Sequence, residues 1–180
     1  MTTTTTAAPT AATAAPAAAD TRALDVGLLI LRVSFGLLFA VHGAQKLFGW
    51  FGGYGWSATA QAFDAMGYNP GKFFATLAAA SEITGGVLLA LGLLTPLGAA
   101  IALGTMINAL VAVWSKGFTA GWEFPLLFTL PVLALAFTGS GRYALDHQRP
   151  WQRQGLVWGV GAVVLAVVAA VITLIAKAAF

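Results

Sequence analysis

The sequence predicts an all-α fold, a polytopic bundle of transmembrane helices with a four-helix core and a fifth C-terminal span. Three observations carry this. Of 180 residues, 59% are hydrophobic and only 8% are charged, where soluble domains carry about a quarter charged residues. The apolar residues form separate runs of about 18 residues or more, the length needed to cross hydrocarbon as helix. Those runs also lack the strict alternation of a membrane barrel. The lipid bilayer is thus the expected surrounding. A net charge of +3, scattered without a basic tract, gives nucleic-acid binding no footing. With no cysteine, the chain has no disulfide, thiolate metal site or persulfide of its own, so any thiol chemistry would belong to a partner or a small molecule.

Residues 1–23 form a Thr, Ala and Pro tract expected to be disordered. It lacks the charged start, apolar core and small-residue site of a cleaved signal peptide. The first span, Leu24 to Phe48, carries Arg32, His42 and Lys46 in its interior. Hydrocarbon penalises unpaired charge, so these groups should face inward toward partners. At about 100° per residue they fall within roughly 80° of arc, and Gly36, Phe39 and Gly43 share that face.

Gly49 to Trp56 mixes glycine with interfacial aromatic residues. Ser57 then caps a short helix to Met66, ended by Gly67 and Asn69-Pro70. This helix reads either as an interfacial cover over the bundle or as a surface loop. The second span runs from Phe73 to Leu94 and the third from Leu97 to Trp114, with only Thr95 and Pro96 between them, which forces an antiparallel hairpin. Gly85, Gly86, Gly92, Gly98, Ala102 and Gly104 permit close helix approach there. Glu82 is the one acidic residue deep in an apolar run, and Asn108 is placed to hydrogen-bond across helices.

A fourth span, Phe124 to Thr138, has Pro125 in its first turn and a kinking Pro131. The connection Gly139 to Arg153 is the most cationic, and Leu156 to Ala176 forms a fifth span. Gly155 and Gly159 have the spacing of a close-packing motif, which leaves homo-oligomerisation open. Placing the cationic connection inside puts the chain in the plasma (cytoplasmic) membrane with a cytoplasmic N-terminus. Arg32 and Glu82 then both fall near mid-depth, with Glu82 between Arg32 and His42.

Pairing of Glu82 with Arg32, His42 or Lys46 is the central expectation. A quinone needs an apolar slot, one or two hydrogen-bond donors and a proton carrier. Glu82, His42 and Lys46 suit those catalytic roles, with Arg32 and Asn108 as binding or ion-pair residues. The structural alternative is an ion pair that only holds two helices together. A bis-His haem site would want a second intramembrane imidazole, but His147 lies in a loop. His42, Glu82, Asp146 and His147 lack metal-ligand spacing, and no phosphate loop or dinucleotide fingerprint is present.

The run from Leu31 to Leu47, LRVSFGLLFAVHGAQKL, the later SEITGGVLLALGLLT from Ser81 to Thr95, and GRYALD from Gly141 to Asp146 together resemble the DoxX family of small membrane proteins. The resemblance covers about Val26 to Asp146, which sets a core of 24–146 followed by a loop and terminal helix over 147–180. It implies a four-helix membrane bundle associated with redox chemistry. Similar proteins include the membrane subunit of a thiosulfate:quinone oxidoreductase and members of oxidative-stress complexes with soluble thiol or superoxide enzymes. Carried onto this chain, the resemblance points to Arg32, His42, Lys46 and Glu82, with Arg142 and Asp146 at the end of the fourth helix. It implies quinone as substrate with no covalently bound cofactor, and a soluble redox partner subunit. The alternative function is a non-catalytic membrane anchor or assembly factor for soluble redox enzymes.

Overall fold

A computed structural model describes residues 21–179, so most of the tail expected over 1–23 lies outside the described residues. Six helices follow in order: α1 Thr21–Phe48, α2 Gly55–Ala65, α3 Gly71–Leu91, α4 Thr95–Val113, α5 Glu123–Thr138 and α6 Leu156–Ala179. No strand is present among the described residues. Five helical segments, all but the one containing α2, are long and apolar enough to cross a membrane. The protein is an all-helical, multi-pass membrane bundle.

Small residues determine how the bundle closes. α1 and α3 run antiparallel in the most extensive helix contact of the molecule. A methyl added at Gly36 would sit 2.6 Å from Gly86 O and Ala90 N, and one at Gly43 would sit 2.6 Å from Ala79 O. Lipid supplies no hydrophobic drive between helices, so this backbone approach, with the dispersion contacts it allows, is what holds the pair. The buried residues of α1 are Arg32, Gly36, Phe39, Gly43 and Ala44, while His42 and Lys46, the other two members of the inward stripe expected from helical geometry, are half-buried. α4 lies against α3, α5 and α6, and α5 returns to touch α1. α6 packs outside this four-helix core, where Gly104 meets Ala166.

Several boundaries differ from the sequence expectation. α1 begins at Thr21, inside the segment read as tail. α2 begins at Gly55, with no side-chain cap, so Ser57 lies within its first turn and is not its cap. The α3–α4 turn is Gly92 to Leu94, with Gly92 at φ +65° and Leu94 at φ +46°. Thr95 and Pro96 open α4 instead of forming the turn, because proline's fixed φ and missing N–H suit a first helical turn. α5 continues as one helix through Pro131. Of the Gly155 and Gly159 pair, Gly155 has open space where a side chain would be, and Gly159 receives the Phe137 ring of α5. That motif therefore seats α6 on its own bundle.

α2 forms a packed cover. It contacts both α1 and α3 and buries Thr59 and Ala60. Asp64 accepts from the Gly71 N–H at the start of α3, and Trp56 Nε1 donates to Thr76 Oγ1 at 2.8 Å. The cover reading of this helix is the one the packing matches. The cations divide by type between the two ends of the bundle. Arg22, Arg32, Arg142, Arg149 and Arg153 belong to the end with the α3–α4 turn, and Lys46, Lys72, Lys116 and Lys177 to the end with α2.

Candidate functional site: a roofed cavity around Lys46 and Glu82

The close contact that joins α1 to α3 also sets the site. Gly43 packs against the turn of α3 from Ala79 to Ile83, which carries Glu82, and Lys46 follows one turn later on the same side of α1, so the close approach puts the carboxylate within reach of the long lysine side chain. Lys46 Nζ donates to Glu82 Oε2 at 2.7 Å and to Oε1 at 2.9 Å. This contact is a salt bridge between α1 and α3. The Glu82 side chain is 5% exposed and that of Lys46 is 30% exposed, so the carboxylate depends on the ammonium while the ammonium retains contact with the surroundings.

Both residues line a cavity of about 410 Å³ in the α2 half of the bundle. Its wall is mostly aromatic and aliphatic. His42, on the same face of α1, stands edge-on to Phe124 at 5.1 Å and Phe128 at 5.5 Å between ring centroids. Asn108 lines the cavity too, but its amide donates to Gly104 O of its own helix at 3.1 Å, and Asn108 Oδ1 is buried without a partner. The cross-helix bond expected of Asn108 is therefore absent; the carbonyl four residues earlier captures the amide, a common local bond for short polar side chains in helices.

Tyr68 was not among the residues singled out from sequence, yet it closes the cavity roof. It is 3% exposed, packs on Phe63 and Phe74, and leaves its hydroxyl buried and unpartnered. Burial pushes its phenol up from the ordinary value of 10.0, since the anion would lose its hydration. Lys177 Nζ lies 4.2 Å from the ring centroid, a cation–π contact joining the end of α6 to the roof. The only sequence signal for Tyr68 was an aromatic residue beside the helix-ending Gly67 and Asn69-Pro70.

Arg32 stands elsewhere. Its guanidinium donates to Ala90 O and Tyr143 O, and the Arg32–Glu82 pairing considered from sequence does not form. Glu82 belongs to the turn facing Gly43, eleven residues from Arg32 and therefore about 16 Å away along the helix. Antiparallel pairing sets this depth, so Glu82 is not between Arg32 and His42. Arg142 has an exposed side chain, and its backbone N–H donates to Asp25 Oδ1 at 3.0 Å. Asp146, buried to 2% exposure, accepts from Leu94 N–H and Trp151 Nε1 at 2.5 Å each. These three residues fasten the opposite end of the bundle and do not reach the cavity. Among the described residues no three His, Cys, Asp or Glu side chains converge as a metal-ligand set.

The arrangement offers an apolar slot, a charged donor and a buried carboxylate able to hold or pass a proton. Comparison with known proteins agrees with the resemblance in the sequence. The family model described as DoxX matches residues 27–115, a range that contains Arg32, His42, Lys46, Glu82 and Asn108. The chain is 37% identical over 126 residues, 69% of this chain and 88% of the other, to the Bacillus subtilis (strain 168) protein named "Putative oxidoreductase CatD". No solved structure matches it. With that identity over most of the relative and the family model on its core helices, the chain belongs to the DoxX family.

Proposed function

We propose that this protein is the quinone-binding membrane subunit of an oxidoreductase, acting in the plasma membrane with its N-terminus in the cytoplasm. The observation that carries the reading is the Lys46–Glu82 pair set in the wall of a largely apolar cavity. A quinone ring fits such a slot, and a ring carbonyl would accept from the Lys46 ammonium. Reduction to quinol consumes two electrons and two protons. Glu82 and His42 are the groups positioned to hold and pass the protons. With no cysteine in the chain, we assign electron delivery to a soluble donor or partner subunit. The relative named an oxidoreductase supports redox work in general. The arginine-bearing loop between α5 and α6 supports the orientation.

A second reading, an anchor or assembly factor for soluble redox enzymes, is favoured by one fact: both carboxylate oxygens of Glu82 are already engaged by Lys46, as a purely structural tie between helices would require. Quinone titration and quinone-reduction assays on purified protein, with and without co-purifying partners, separate the two. Saturable quinone binding that Glu82→Gln abolishes in a folded protein supports the first. Absence of quinone binding together with a stoichiometric soluble partner supports the second.

A further inference from the structure

α6 lies beyond the residues matched by the family model, 27–115, yet it forms part of the cavity. Ala169, Ala170 and Thr173 line it, and Lys177 reaches the roof at Tyr68. α4 stands between α3 and α6, so the two outer helices flank a groove whose floor is α4, with Ile101 and Thr105 contributing to the same lining. The groove lies in the part of the molecule that faces acyl chains. Four residues lining the cavity are themselves exposed: Met66 after α2, Phe124 of α5, and, on the two helices that flank this groove, Leu77 of α3, 41% exposed, and Ala169 of α6. The cavity is thus continuous from the charged pair to an apolar opening between α3 and α6. Its aqueous end, in contrast, is covered by α2, Tyr68 and the Lys177 contact.

From this continuity we propose that the cavity takes ligands with a polar ring head and a long apolar tail, the head beside Lys46 and Glu82 and the tail leaving sideways into the bilayer between Leu77 and Ala169. The proposal rests on the quinone reading and deepens it: α6 is the element that selects tailed over tailless ligands. A tail bound this way exchanges lipid contacts for groove contacts, which yields little binding energy. Selection instead comes from the opening, where added bulk should obstruct a tail and leave a small ring unaffected. Ala169 is the natural probe because its exposed position tolerates a larger side chain in the absence of ligand.

The test titrates purified protein in nanodiscs with a decyl-tailed benzoquinone and with the same ring lacking the tail. Ala169→Trp is expected to weaken the tailed ligand about tenfold, the scale of a one-residue packing conflict, and to leave the tailless ring within about twofold. Leu77→Trp, on the facing helix, should behave alike. A decyl quinone carrying a diazirine at the tail end should label α3 and α6 of the wild-type protein, and untagged quinone should compete the label away. Equal loss of both ligands, or labelling confined to α1 and α5, overturns the tail route while the quinone reading stands. Failure of the wild-type protein to bind either ring saturably overturns the quinone reading, and the tail route with it.

Discussion

Lys46 and Glu82 lie 36 positions apart in sequence, and the ammonium of one sits within 2.9 Å of both carboxylate oxygens of the other. The pair bridges α1 and α3 at the cavity wall, so it has both a mechanical and a chemical consequence.

Removing one partner leaves the other charge uncompensated. Lys46→Met is expected to destabilise the fold by about 3 kcal/mol, toward the lower end for a broken buried pair because Lys46 is partly exposed. The double variant Lys46→Met with Glu82→Leu should recover most of that loss while quinone binding stays absent. Denaturant unfolding beside ligand titration checks both halves. Recovery of binding together with stability would mean that the charges are needed only for the fold.

Arg32 provides the control. Its guanidinium ties α1 to the Ala90 and Tyr143 carbonyls at the far end of the bundle. Arg32→Met should cost about 3 kcal/mol, the value of a charge-assisted bond lost from a buried site. Quinone affinity should stay within about twofold of wild type, a ratio readable by the same titration. A large loss of affinity at unchanged stability would place Arg32 in the site.

Helix approach at Gly43 is equally exposed to test. Gly43→Ala places a methyl 2.6 Å from Ala79 O, and overpacking of this kind costs about 1–3 kcal/mol. Because the same contact positions Lys46 and Glu82, quinone affinity should fall along with stability. Gly27→Ala, where nothing lies within 4 Å of an added methyl, should change neither.

Tyr68 sets an alkaline limit. Its phenol is pushed above 10.0 by burial, so between the unfolded and folded values the unfolded chain has released the proton and the folded chain retains it. The unfolded state then binds fewer protons, and stability falls as pH rises through that window; below it the contribution is constant. Tyr68→Phe should flatten this part of the stability curve, as measured by melting temperature from about pH 9 to pH 11. An unchanged alkaline slope in the variant would show that the hydroxyl does not carry it.

The spans were readable in the sequence because hydrocarbon demands long apolar helices and tolerates charge only on an inward stripe; the stripe through Arg32, Gly36, Phe39 and Gly43 is the one that is buried. Helical geometry placed the cations on one face but could not choose among them. That choice depends on the antiparallel register of α1 against α3, a tertiary quantity fixed where Gly36 meets Gly86 and Gly43 meets Ala79. The turn was misplaced for a local reason. Thr95 and Pro96 look like a chain break, yet proline serves equally well to open a helix, and Gly92 supplies the left-handed residue that ends α3. Tyr68 and the α6 wall were invisible because nothing in their own segments indicates which helix they face. Only the return of Lys177 to Tyr68 links them.

Enclosure of α4 by α3, α5 and α6 has a consequence for biogenesis. The Gly104 face of α4 meets its partner Ala166 only after a further sixty or so residues have been synthesised, roughly several seconds at ordinary elongation rates. Until α6 arrives, this small-residue face has nothing but lipid or the insertion machinery against it. α6 therefore closes the packing around α4, and a ribosome stalled before it would leave α4 open to pairing with the wrong neighbour.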